Sequence, residues 1–229
     1  MADAQRPMMP LLDVATAVVT VAIAAFAVWM AQHGPTGPIP VHFNAAGVPD
    51  RMGDRTELAL LNGFMSFMAL VTAGGMGWAA RRTPDRAQRR SLRLGQAISL
   101  AVIVAATVLM DLIMLGGAEG REPLPVRWIA LGISVLLIIV GSGLGRVAPN
   151  PLVGVRTPWT YRSRLSWDRS NRLAGRLFFW LGLVGLIGAL HVPSMASVTK
   201  LVALVLIAAV WSVFESWRVW RADPDRQPF

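Results

Sequence analysis

The chain has 229 residues, 54% of them hydrophobic and 15% charged, with 22 Lys and Arg against 13 Asp and Glu and a formal net charge of +9. Ordinary globular domains carry about 25% charged residues, so this composition argues for a membrane protein and against a soluble domain. The absence of cysteine excludes disulfides and thiolate chemistry.

A transmembrane helix needs about 20 mostly apolar residues. Six stretches qualify, beginning with Leu11–Ala31. Arg6 precedes it, and its apolar part, Val14–Met30, exceeds the roughly 7–15 residues of a cleaved signal core, so a retained signal-anchor is expected. No transit peptide or lipidation motif is recognisable. A polar loop, 32–57, leads to the second span, Leu58–Ala80. An Arg-rich connection then reaches the third, Leu94–Gly116, which contains Asp111, and the fourth is Trp128–Gly145. After a loop over 146–176 come Ala174–Val192, with Arg176 snorkelling from its first turn, and Val198–Trp217. The runs are continuous and do not alternate as barrel strands do. The expected fold is therefore an all-α bundle of six transmembrane helices. It is read as a two-span unit over 1–93 followed by a four-span unit over 94–229.

Basic residues set the expected orientation, because cytoplasmic loops collect Lys and Arg. With the N-terminus inside, the inner side holds 17 arginines. The outer side holds five basic residues, Arg51, Arg55, Arg121, Arg127 and Lys200. Both termini are expected on the cytoplasmic side of the membrane. Trp29 and Trp128 then fall at outer boundaries and Trp78, Trp217 and Trp220 at inner ones, where indoles favour the headgroup zone. Trp180 and Trp211 lie deeper.

The outer loop reads Pro38-Ile39-Pro40-Val41-His42-Phe43-Asn44-Ala45-Ala46-Gly47-Val48-Pro49-Asp50-Arg51-Met52-Gly53-Asp54-Arg55. The prolines at 38 and 40 favour an extended entry. Asn44 with Gly47 fits one turn, and Pro49-Asp50 a second. His42, Asp50, Asp54 and Glu57 match no zinc or calcium spacing. The expectation is a folded cap whose charges pair with Arg51 and Arg55; a peptide or a neighbouring loop suits it better as a ligand than a metal.

The inner loop holds Asn150-Pro151-Leu152-Val153-Gly154-Val155-Arg156-Thr157-Pro158-Trp159-Thr160 and, further on, Trp167 among arginines. It is too rich in Pro and Gly for a lipid-facing helix and too apolar for a plain linker. A fixed loop held by flanking spans is where function concentrates. Three readings stay open: an interfacial segment with arginines on anionic headgroups at about 1 kcal/mol each, a docking surface for a cytosolic protein, or a positive-inside loop that only packs. Direct nucleic-acid binding is not expected, since topology already accounts for the basic face.

The run Ile39-Pro40-Val41-His42-Phe43-Asn44, with Gly47, Pro49, Asp50 and Gly53-Asp54-Arg55, resembles the N-terminal signature of the SdpI family of bacterial membrane proteins. A second signature of that family is matched by Asn150, by Gly154-Val155-Arg156-Thr157-Pro158-Trp159-Thr160, by Trp167 and by Asn171-Arg172-Leu173-Ala174-Gly175. Tyr161-Arg162 departs from its pattern, which has a small or apolar residue and then a polar one there. The resemblance implies immunity to a secreted antimicrobial peptide, often tied to signalling, and no particular mechanism.

Few polar groups lie inside the spans. A carboxylate such as Asp111 should face the bundle or water, and His191 is a candidate partner for it. Asp13 and Glu215 fall near the inner ends of their spans. These groups are either paired for structure or form an ion relay, as a transporter would need. Gly182, Gly185 and Gly188, and Gly141, Gly143 and Gly145, suggest close helix contacts. There is no P-loop, nucleophile elbow or metal-binding His pair, so neither an enzyme nor a bound cofactor is expected. No residue-level internal repeat is visible.

The function that the resemblance implies is immunity to a peptide toxin at a bacterial plasma membrane. A peptide would meet His42, Phe43, Asn44, Gly47, Pro49, Asp50, Gly53 and Asp54 at the outer face. Lipid or a cytosolic regulator would meet Asn150, Gly154, Arg156, Thr157, Pro158, Trp159 and Trp167 at the inner face. The alternative is a small transporter or channel using Asp111.

Overall fold

The computed structural model describes residues 11–44, 46, 48–118, 126–150 and 152–227, with only the backbone of Ala87. Its helices are α1 (Leu11–His33), α2 (Arg55–Ala69), α3 (Gly75–Arg82), α4 (Arg86–Gly116), α5 (Val126–Leu144), α6 (Pro158–Tyr161), α7 (Arg164–His191) and α8 (Met195–Ala222). A single π-helical segment, Leu70–Gly74, joins α2 to α3, so that Arg55–Arg82 is one span. Among the described residues six helices are long and apolar enough to cross a membrane, and the chain is a multi-pass cell-membrane protein.

The helices start where short polar side chains can hold the orphan N–H groups of a first turn. Asp54 accepts from Glu57 N (2.9 Å), Asp85 from Gln88 N (2.7 Å), Ser163 from Ser166 N (2.9 Å) and Ser194 from Ser197 N (3.1 Å). The fifth span therefore begins at Arg164, ten residues before the expected Ala174, and the inner loop ends at Ser163 rather than at 176. Arg164, Arg169, Arg172 and Arg176 made this stretch read as loop. They occupy the exposed side of a helix whose other side buries Ser166, Trp167, Ser170, Asn171 and Ala174.

α1 packs on α2. α4 packs on α2, the π segment and α3, and also on α5, while α7 packs on α5 and α8. Small residues allow α5 and α7 to approach closely. A Cβ at Gly175 would lie 2.9 Å from Gly141 O, and one at Gly182 would lie 2.8 Å from Ser134 O. Gly143 faces Ile98 of α4 instead, and Gly188 faces open space. Trp180 and Trp211, left unplaced by the sequence, point outward and are about 60% exposed.

Between α1 and α2 the chain forms a two-stranded antiparallel hairpin, β1 (Ile39–Phe43) and β2 (Pro49–Gly53). Asn44 Oδ1 accepts from Ala46 N (2.9 Å) and Val48 N (3.1 Å) and closes the turn. Pro49-Asp50 is thus not a second turn. It opens β2, which suits a proline at the first position of an edge strand. Ile39 anchors the hairpin in a core with Met30, Leu58, Ala59 and Ala118. The opposite end of the bundle gathers the start of α1, the α3–α4 connection, the α5–α7 loop and the end of α8, as side-chain contacts among them show.

Candidate functional site

The α5–α7 loop is built around two asparagines. Asn150 Oδ1 accepts from Leu152 N (2.8 Å) and Val153 N (2.7 Å), while its Nδ2 donates to Ala148 O (2.9 Å) and Val153 O (3.0 Å). Asn171 of α7 accepts from Val155 N (2.7 Å) and donates to Trp167 O (3.0 Å). Gly154 sits between them with φ +125°, where a side chain is strained. A Cβ there would lie 2.6 Å from Asn171 Oδ1 and 3.1 Å from the Trp167 ring. Gly154→Ala is expected to cost about 2 kcal/mol, read as a lower Tm of the purified protein. An unchanged Tm would mean that the loop has a second, equally stable path.

Thr157 caps α6 in a reciprocal capping box with Thr160, with Pro158 at the first helical turn. Its hydroxyl also meets Ser216 Oγ of α8 at 3.0 Å. Ser166 Oγ donates to Ser216 O (2.6 Å), Ser163 Oγ to Asp223 Oδ2 (2.5 Å), and Gln227 N to Arg162 O (2.9 Å). Beneath the loop, Trp167 is 0% exposed and donates from Nε1 to Val147 O (2.8 Å). Asn150, Thr157 and Trp167 therefore face inward and hold the loop's shape. Arg156 and Pro158 are exposed and Trp159 half-buried. Pro151 lies outside the described residues. Gly154, Val155, Arg156 and Thr157 line a cavity of about 330 Å³, shared with Phe178 and Ser212. A polar cavity of about 580 Å³ lies nearby, lined among others by Asp85, Arg146, Arg164, Asp168 and Arg172.

At the hairpin end, His42 Nδ1 and Asp50 Oδ1 are 2.5 Å apart across the strands, and Arg51 donates to Glu57 (2.6 Å). Arg55 instead donates to Gln32 O (3.3 Å), so of the two arginines expected to pair within the cap only Arg51 is seen paired with a carboxylate. Asp54 is engaged as the α2 cap, and Gly53 lies against Val41 and Glu57. Among the described residues no three of His, Asp and Glu gather where they would hold a metal. Gly47 lies outside the described residues. Outward-facing Asp50, Val48 and Met52, with half-buried Phe43, make the accessible surface of the cap.

Asp111 does not meet His191, which is exposed and bonded to Ile187 O (3.0 Å). Its partner is Asn62 of α2, whose Nδ2 lies 2.9 Å from Asp111 Oδ1. An ionic cluster forms at Asp13, whose partners were not legible in the sequence. Asp13, 8% exposed, accepts from Arg93 (2.5 Å), Arg81 (3.0 Å) and Gln96 (3.0 Å), and Gln96 also donates to Thr16 Oγ1 (3.1 Å). Gly77 makes the room, since a Cβ there would lie 2.5 Å from Asp13 Oδ1. The one available signal was an acid in the first turn of a span that ends beside an arginine-rich loop.

Comparison with known proteins bears on the loop end. Residues 146–216 match the SdpI/YfhL protein family. This segment holds the whole Asn150–Gly175 signature, whereas the 39–55 signature lies outside it. The Immunity protein SdpI of Bacillus subtilis (strain 168) is 36% identical over 56 residues, which are 24% of this chain and 27% of that protein. The chain thus matches about a quarter of that relative's length. No solved structure matches. The comparisons thus bear out the resemblance over residues 146–216, the segment that holds Asn150, the Gly154–Thr160 core and Trp167 and is similar to the SdpI/YfhL family.

Proposed function

We propose that this chain is a membrane immunity protein that protects its cell from a secreted, membrane-active peptide and reports the encounter to a cytosolic regulator. The observation that carries this reading is the family region over residues 146–216, in a chain with six candidate spans. The SdpI family is not a family of enzymes, and the reading contains no chemical step. The arginine bias, 17 against five, supports placing the loop end in the cytoplasm and the hairpin outside. The peptide then meets His42, Phe43, Asp50 and the exposed side of β2. Inside, exposed Arg156 and Pro158, half-buried Trp159 and the arginines around the polar cavity offer the surface for lipid headgroups or the regulator.

The test is survival of peptide-sensitive bacteria producing the chain, against an empty vector, under a panel of secreted membrane-active peptides. Protection against at least one is expected, and protection against none, with the protein present in the membrane, sinks the reading. Replacing 42–52 by a short Gly-Ser connection keeps Ile39 and the Asp54 cap. It should return survival to the empty-vector level at unchanged protein abundance. Full survival would remove the hairpin from the mechanism while leaving immunity in place.

A further inference from the structure

We infer that Asp111, Asn62 and Thr107 form a binding site for one monovalent hard cation, of sodium type, between α2 and α4. Asp111 lies in α4, one turn and a half from the end of that helix at Gly116, within a candidate span. Its carboxylate accepts from Asn62 Nδ2 at 2.9 Å, and among the described residues no Arg, Lys or His forms an ion pair with it. A carboxylate inside a span needs a balancing partner, and intramembrane acids mark ion pathways and functional sites. An amide neighbour supplies a hydrogen bond and no charge.

Two further oxygens point to what supplies the charge. Asn62 is 0% exposed and gives its amide hydrogens to Leu58 O (3.1 Å) and Asp111, which leaves its buried Oδ1 without a partner. Thr107 lies one turn before Asp111 on the same side of α4. It is 5% exposed, and its Oγ1 is also without a partner. A buried threonine in a helix ordinarily donates to the carbonyl four residues back, as Thr16 and Thr20 do. Buried polar atoms without partners are rare and each calls for an occupant or a cause. A cation provides charge for Asp111 and a partner for both orphan oxygens at once.

Charge and ligand type select the ion. One carboxylate neutralises one positive charge, so a divalent ion would leave an unbalanced charge in the apolar layer. Carboxylate, amide and hydroxyl oxygens are hard ligands and do not favour soft metals. The site is independent of the immunity reading, because its occupancy is measured on the purified chain with no peptide present.

The experiment compares Tm of the purified full chain in nanodiscs, in sodium chloride and in choline chloride of equal ionic strength. Sodium is expected to raise Tm by about 5 °C at saturation. Thr107→Val keeps the shape, removes one ligand oxygen and should raise the half-saturating sodium concentration about tenfold. Asp111→Asn should abolish the shift. Equal Tm in the two salts, a full shift retained in Asp111→Asn, a larger shift with calcium than with sodium, or a Tm that follows pH and ignores sodium would each overturn the site. If Asp111→Asn fails to fold, Thr107→Val decides: unchanged half-saturation counts against the site.

Discussion

Trp167→Ala is expected to lower stability by about 3–5 kcal/mol, the range for emptying a core position of an aromatic ring. Trp167 is fully buried, its ring stands beside Gly154, and its Nε1 holds Val147 O at 2.8 Å. Tyr161 packs on the ring at 6.2 Å between centroids and reaches Asn150 O at 3.3 Å. Removing the indole therefore opens a cavity under the loop and strips its support in one step. Trp167→Phe keeps most of the packing and loses the hydrogen bond, at about 1 kcal/mol for the bond itself. Thermal unfolding of both variants beside the parent checks the order. A loss below 1 kcal/mol in Trp167→Ala would show that the loop is held from outside, by α6 and α8, and not from below.

Asp13→Ala should be as damaging, at about 3 kcal/mol, because it leaves two guanidiniums and the Gln96 amide facing an empty place. Arg81 and Arg93 keep some access to water, which sets the expectation at the low end of the range for broken buried pairs. The cluster predicts an order. Arg93→Ala leaves Asp13 with Arg81 and should cost less, and Arg81→Ala, removing the more exposed guanidinium, should cost least. Equal losses in all three variants would mean that the cluster is not centred on the carboxylate.

The six spans were legible because a membrane demands long continuous apolar runs, and nothing else in the chain imitates them. The Asn150–Trp167 stretch was legible as a shaped loop from its Pro, Gly and Trp content. Which of its residues turn inward was not, because that depends on Asn171, Ser216 and Asp223, which lie up to 73 residues away from Asn150. The start of α7 was missed because charge was weighed before periodicity: the arginines fall on one side and the serines, Trp167 and Asn171 on the other. The hairpin escaped because each strand has only five residues and two of the prolines lie within them. His191 was proposed for Asp111 on depth alone. Depth does not fix which side of a helix a residue takes, and Asn62 on α2 was the residue that faced it.

The pairing of Asp13 with Arg81 and Arg93 sets an order of events in biogenesis. Arg81, 68 residues downstream, closes the second span, and Arg93, 80 residues downstream, lies in the helix of the third. The first helix must therefore leave the ribosome and enter the bilayer carrying an unpaired acid at its end. It acquires Arg81 with the second span and Arg93 only when the third helix arrives. Until that moment the nascent chain has no lock between its first and third crossings, and a synthesis arrested after residue 82 yields a hairpin that lacks the Arg93 and Gln96 contacts of the finished protein.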